Sequence, residues 1–368
     1  MQIDARAMVL ERPRELVARS LPVPEIGEDD GLLRVEACGL CGTDHEQYTG
    51  HIPAGFAFVP GHEVVGVIEQ LGTRAAQRWA VSAGDRVAVE VFQSCRSCDE
   101  CAAGRYRRCR RHGMADMYGF IDVDKPPGLW GGYATHLYLG PDAMVLPVPP
   151  ALDPALATLF NPIGAGIRWG VTVPAMQPGA VVAVLGPGVR GLSVCAAAKD
   201  AGASLVLVTG RGERDVERLE TARRFGADIT VDVMKQDPVK VLRAATGVLA
   251  DVVVDVTAKA PAALGQAVAL ARTGGTVVLA GTRGSNDTPG FAPDHIVYKE
   301  LQVVGALGVD YAAYEAALQL LASGRWPFVD VSRRCVDLDG VEVLLRTMAG
   351  ETDDAPPVHA VVAPASTS

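Results

Sequence analysis

The chain has 368 residues, with 34 Lys+Arg against 43 Asp+Glu and a formal net charge of −9. That length allows two domains with large cores, and the acidic balance excludes a binder of phosphate backbones, whose footprint would be basic. A hydrophobic fraction of 49% with 21% charged residues excludes a disordered chain. The longest uncharged stretch, Trp169 to Val189, contains three prolines and four glycines, which argues against a spanning helix. The opening MQIDARAMVLERPREL is charged throughout and lacks an apolar signal core, so a cytoplasmic protein is expected.

In chain order, the first 150 residues read as short strands separated by Gly, Pro and Asp turns. Leu32–Val35, Val64–Ile68 and Arg86–Val91 are the clearest runs. Between them lie CGLCGTDHE (Cys38 to Glu46) and GHEVVGVIEQLG (Gly61 to Gly72). Cys41, His62 and Glu63 sit in Gly-rich turns after or before strands, and offer a thiol, an imidazole and a carboxylate. Three such ligands with one position left open is the pattern of a catalytic zinc.

Next comes Cys95-x2-Cys98-x2-Cys101-x7-Cys109, four of the eight cysteines within fifteen residues. In a cytosolic chain such density means metal before disulfides. Four thiolates close a tetrahedron around Zn²⁺ and leave no open position, so the site is expected to be structural. An iron–sulfur cluster also takes four cysteines; the tight spacing favours zinc. The arginines of RYRRCRRH (Arg105 to His112) are expected to offset the negative charge of this site rather than bind nucleic acid.

From Val181 the rhythm changes to apolar runs alternating with Ala-rich helical stretches: VVAVLG, GLSVCAAAKDAGA, LVLVTG, ERLETARRFGAD, ADVVVDV, APAALGQAVALARTGG, TVVLAGT. This predicts a doubly wound parallel sheet with helices on both faces, and Gly202 and Gly226 stand where helices should end. Gly186-Pro-Gly188-Val189-Arg-Gly191 follows the first of these strands and opens a helix, the context in which G-x-G-x-x-G cradles a pyrophosphate. The next strand ends in Thr209-Gly210-Arg211, without the acid that would bond an unphosphorylated ribose. Arg211 could pair with a 2′-phosphate. NADP is favoured over NAD, although Glu213 and Asp215 oppose it. An amphipathic stretch, Tyr311–Ser323, precedes a β-like tail ending in VHAVVAP.

C-G-x-C-G-T-D, G-H-E-x2-G-x5-G, G-D-R-V (Gly84 to Val87), the four-cysteine lobe and GGYA (Gly131 to Ala134) occur in order. Together they resemble the zinc-dependent medium-chain dehydrogenase/reductase family of alcohol, polyol, sugar and threonine dehydrogenases. The resemblance covers nearly the whole chain. It implies an α/β fold: a β-rich, GroES-like catalytic domain over 1–162, rejoined by 307–368, and a Rossmann-type dinucleotide domain over 163–306. It implies one catalytic and one structural zinc, with Cys41 and His62 as catalytic ligands and Glu63 as the adjacent carboxylate. Thr43 matches the hydroxyl that receives the substrate proton, and Asp44 the acid behind the ligands. The family's relay histidine position holds Glu46, with His45 beside it, as in the glucose dehydrogenase branch; His45, Glu46 and His51 are the candidate onward proton carriers. The position of a further zinc ligand is held by Asn161, a neutral amide and a poor one. The implied function is reversible, NAD(P)-linked oxidation of a primary or secondary alcohol, polyol or sugar. The alternatives are a threonine-type amino-alcohol dehydrogenase and a non-catalytic nucleotide-binding relative. A homodimer or homotetramer is expected, with no nucleic-acid or membrane partner. Phe56, Trp130 and Ile121 are candidates for shaping selectivity.

Overall fold

The computed structural model describes residues 4–52, 54–283, 288 and 291–364. The chain forms two units, Met1–Phe160 with Ser332–Ser368, and Asn161–Val331.

In the first unit β1 (Asp4–Arg12) and β2 (Glu15–Pro22) form a hairpin. A seven-stranded sheet contains β3 (Gly31–Leu40), β4 (Glu63–Leu71), β5 (Arg86–Val89), β6 (His136–Leu139) and β7 (Val145–Pro147). Strand β3 is buried along most of its length, as a central strand must be, with Arg34 and Glu36 the polar exceptions on one face. It pairs antiparallel with β4, placing Gly39 opposite Glu63. Leu33, Val35, Val64, Ile68, Val87 and Leu137 meet in one core. Each fully buried aliphatic side chain contributes about 1.5–3 kcal/mol. Trp130 and Ile121 belong to that same core, so neither is available to shape selectivity. Phe56 instead rims a cavity of about 260 Å³ with Leu10, Pro13, Gln47 and Phe58.

The second unit carries β8 (Val181–Leu185), β9 (Leu205–Gly210), β10 (Ile229–Asp232), β11 (Ala250–Asp255), β12 (Ala271–Leu279) and β13 (Gln302–Gly305). They form one sheet in the order β10-β9-β8-β11-β12-β13, parallel throughout. The winding reverses between β8 and β11, the doubly wound arrangement that the alternating pattern predicts. Gly202 (φ +88°) and Gly226 (φ +92°) do end the helices Val189–Asp200 and Val216–Arg224.

The expected return to the first unit at 307 falls at 332 instead. The rhythm change near Ala306 marks only the end of β13. The helix Tyr311–Ser323 buries Ala313, Tyr314, Ala317, Leu318 and Leu321, and Phe328 stacks edge-on against Phe225 with ring centres 4.8 Å apart. Those contacts hold the chain in the second unit to Val331. Then β14 (Arg333–Val336) and β15 (His359–Val362) complete the first sheet, with Val361 opposite Gly39 of β3. The tail therefore rejoins the domain where the chain began. Among the described residues no helix is long and apolar enough to cross a membrane.

Candidate active site

Strand β3 ends at Leu40 and β4 begins at Glu63, so their antiparallel register brings Cys41, His62 and Glu63 to one end of the sheet. All three are buried, and their ligand atoms lie within 4.8 Å of one another. Cys41 Sγ stands 3.4 Å from His62 Nε2. Two tetrahedral zinc ligands at ~2.3 and ~2.0 Å would stand about 3.5 Å apart, so this pair fits the metal. Gly39 explains the glycine of the CGLC motif, because a Cβ there would lie 2.3 Å from Glu63 Oε2.

Cys41 is also the N-cap of the helix Gly42–Tyr48, and its N–H donates to Asp44 Oδ2 at 2.8 Å in a capping-box arrangement. The other carboxylate oxygen faces His62 Nδ1 at 3.5 Å. Neither of those two atoms has a hydrogen-bond partner, although both are buried. Burial opposes a charge on His62, but Cys41 and Asp44 together raise its proton affinity well above the ordinary imidazole value. Burial opposes the Asp44 anion too, yet His62 and the Cys41 N–H hold its carboxyl below the usual range. A sulfur, an imidazole and a carboxylate gathered in one buried pocket, backed by the Asp44 carboxylate, suit a metal cation.

The four cysteines of the lobe gather as the spacing predicts, and their sulfurs also lie within 4.8 Å of one another. Cys95 and Cys101 are 3.9 Å apart, against about 3.8 Å for two thiolates on a tetrahedral zinc. Hydrogen bonds from Ser97, and from backbone N–H groups, pull the Cys95 thiol down to about 5. Burial pushes Cys101 up to about 11. Three of the lobe's arginines also have carboxylate partners. Arg105 pairs with Glu100, Arg110 with Asp99 and Arg111 with Asp142. These carboxylates share the charge of those three arginines, and backbone N–H groups support the sulfurs of Cys95 and Cys98.

In the second unit Gly186, Gly188, Val189 and Gly191 form the turn from β8 into the helix Val189–Asp200. Gly186 has φ +106°, and a Cβ on Gly191 would lie 1.9 Å from the Gly186 carbonyl. Only glycine permits this closed turn at a helix N-terminus. At the end of β9, the loop after Gly210 is held by acids turned onto the backbone. Asp215 Oδ2 accepts from Arg211 N–H at 2.8 Å, and Asp232 Oδ1 from Gly212 N–H at 2.9 Å. Asp215 is buried, whereas Arg211 is exposed.

The alcohol dehydrogenase GroES-like domain model matches residues 27–150, and the zinc-binding dehydrogenase model matches 190–323. A Mycobacterium tuberculosis (strain ATCC 25618 / H37Rv) protein named a probable alcohol dehydrogenase is 67% identical over 360 residues, 98% of each chain. The chain belongs to the zinc-binding alcohol dehydrogenase family. The sorbitol dehydrogenase of Bacillus subtilis (strain 168) is 33% identical over 331 residues, 87% of each chain. A Sinorhizobium meliloti 1021 structure, described as a zinc-binding dehydrogenase bound to NADP, superimposes with TM-score 0.82 at 28% identity. The match covers 99% of this chain and 100% of that one.

As an alcohol dehydrogenase of this family, the chain is an oxidoreductase that uses zinc and a nicotinamide cofactor on small alcohols. Of the expected proton carriers, Thr43 is half-buried on the first turn of the helix Gly42–Tyr48, and Glu46 is buried. His45 Nε2 stands 3.5 Å from Glu351 Oε1, and Glu351 pairs with Arg14 at 2.8 Å. His51 is exposed, with Nδ1 2.7 Å from Thr49 Oγ1. The Asn161 amide belongs to the second unit and donates to Tyr314 Oη at 2.9 Å. Sequence reasoning missed Tyr133. Its fully buried hydroxyl has no hydrogen-bond partner. Burial first, and then the charge of neighbouring Asp44, raise its pKa well above the ordinary phenol value, so it keeps its proton. The motif GGYA contained the residue, but nothing in it indicated an isolated hydroxyl.

Proposed function

We propose that this dehydrogenase catalyses reversible oxidation of a primary or secondary alcohol, polyol or sugar to the carbonyl compound, with NADP preferred over NAD. The observation that carries the reading is the convergence of Cys41 Sγ, His62 Nε2 and a Glu63 carboxylate oxygen at the end of β3 and β4. These three residues would hold the catalytic zinc, and the four-cysteine lobe a second, structural one. Bound zinc supplies Lewis acidity that lowers the pKa of the alcohol.

The protein's own residues then manage the proton and the geometry. Thr43 accepts the hydroxyl proton, and His45 passes it toward Glu351; Glu46 and His51 are the other candidate carriers. Asp44 positions the His62 ring from behind, across 3.5 Å. Gly186, Gly188, Val189 and Gly191 hold the pyrophosphate by backbone N–H groups, while Gly210 and Arg211 face the adenosine ribose. NADP is supported by the exposed Arg211 beside carboxylates already engaged with backbone. A cytoplasmic location fits eight free cysteines, including one exposed on the surface.

The test is a panel of alcohols, polyols, sugars and threonine read by nicotinamide absorbance with each cofactor. Turnover is expected with alcohols or polyols and NADP. Arg211→Ala should raise the KM for NADP about tenfold and leave that for NAD nearly unchanged. Cofactor binding without turnover on any member of the panel would contradict the catalytic reading.

A further inference from the structure

Asp255, the last residue of β11, is a fully buried acid that the chemistry above does not use. Its Oδ1 accepts the Thr257 N–H at 3.0 Å and the Thr257 hydroxyl at 2.6 Å. Its other oxygen pairs with the Arg283 guanidinium, itself largely buried. The Asp255 carbonyl accepts the N–H groups of Ala280 and Gly281, both at 3.0 Å, and Lys259 N–H reaches the Thr282 carbonyl at 3.1 Å. A Cβ on Gly281 would lie 1.9 Å from the Thr257 carbonyl, so the loops after β11 and β12 touch backbone to backbone. A Cβ on Gly186 would meet the Thr257 methyl at 3.2 Å, which brings the phosphate loop after β8 against the same threonine. Burial raises the Asp255 carboxyl pKa, while Thr257 and Arg283 act to keep the group ionised.

The strands β8, β11 and β12 are neighbours, and the sheet reverses its winding between β8 and β11. In open α/β sheets a dinucleotide lies across the carboxyl ends at such a point. The loop after β9 lies on the adenosine side of the pyrophosphate turn. The loops gathered by Asp255 lie on the other side.

We infer that Asp255 is a positioning residue for the nicotinamide half of the cofactor, acting through Thr257 and Arg283. This rests on the dinucleotide reading above. With the carboxylate in place, the three loops hold one spacing before the cofactor arrives, so less ordering is required on binding. Asp255→Asn keeps an acceptor for Thr257 but removes the carboxylate charge that pairs with Arg283.

The experiment is direct titration of the zinc-loaded protein with NADPH and with NADH, alongside Tm, zinc content and the alcohol KM at saturating cofactor. Asp255→Asn should weaken both cofactors about tenfold, with zinc content and alcohol KM unchanged. Thr257→Val, a milder change that keeps the fold if Asp255→Asn does not, should weaken both about threefold. Asp255→Asn/Arg283→Gln removes both charges and should recover Tm without recovering cofactor affinity. A purely structural role predicts the opposite: affinity unchanged in Thr257→Val, or recovered together with Tm in the double variant. Either result overturns the inference. Failure of the wild-type protein to bind either dinucleotide would instead refute the cofactor reading beneath it.

Discussion

The two cysteine-containing centres of the first unit are built in opposite ways. The lobe takes four identical donors from fifteen consecutive residues, and short loop spacing with local N–H groups suffices to gather them. The other centre takes three different donors from the ends of two strands, with Cys41 and His62 separated by 21 residues. Its geometry exists only when β3 and β4 have paired in register. A closed set of like ligands serves stability, whereas a mixed set held by a sheet leaves room for a substrate. The lobe should therefore depend on its metal to fold, and the sheet-borne centre should depend on the fold to bind its metal.

The largest expected effects are a pair of opposite ones. Cys41→Ala should lower kcat/KM by about a thousandfold or more, because several kcal/mol of Lewis-acid stabilisation are lost, and Tm should change little. Cys98→Ala should lower Tm by roughly 10 °C, since binding energy in a closed site is folding energy. If both variants lost stability equally, the contrast between the centres would collapse.

A smaller effect sharpens the contrast from behind the ligands. Asp44→Ala removes the acid facing His62 Nδ1 and the acceptor of the Cys41 N–H. Zinc affinity at the sheet-borne centre should fall about 10- to 100-fold, with the lobe's zinc untouched. Competition with a graded chelator measures the two sites separately.

A last effect is set by pH and acts on the scaffold. His359 of β15 is buried between the Thr158 hydroxyl at 2.9 Å and Arg333 Nε at 2.9 Å. Burial first, and then Arg333, lower its pKa from 6.5 to about 3. The folded state therefore keeps this histidine neutral, while the unfolded chain takes up a proton as pH falls below 6.5. Stability from this group is complete above that value and is lost as pH falls toward 3, by about 1.4 kcal/mol per pH unit. Because β15 pairs with β3, acid should weaken the sheet that carries Cys41. Urea titrations across this range should show the slope, and His359→Gln should flatten it.

How legible each part was in the sequence follows the same division. The lobe, the phosphate turn and the helix-ending glycines depend on neighbours a few residues away, and the sequence displayed them directly. The Cys41–His62–Glu63 group was legible as a set of donors in Gly-rich turns, but its closeness comes from the Gly39–Glu63 register, which no local pattern records. The unit boundary at Val331 was hidden because burial of Tyr314 and Phe328 is a tertiary fact. Trp130 and Ile121 illustrate the limit from the other side. An aromatic or branched side chain near candidate ligands is as suited to a core as to a pocket, and here the core takes both. The lobe's arginines were read by their charge alone, without the acids that pair with them.

Two zinc centres are expected, with Glu63 rather than Asn161 completing the catalytic one. Zinc favours thiolate, imidazole and carboxylate over a neutral amide. Elemental analysis after dialysis against a mild chelator tests this most directly, on the wild-type protein, Glu63→Gln and Asn161→Ala. About two zinc ions per chain are expected in the wild type and in Asn161→Ala, and about one in Glu63→Gln. Iron in place of zinc, or retention of both ions by Glu63→Gln with loss of one from Asn161→Ala, would contradict this expectation.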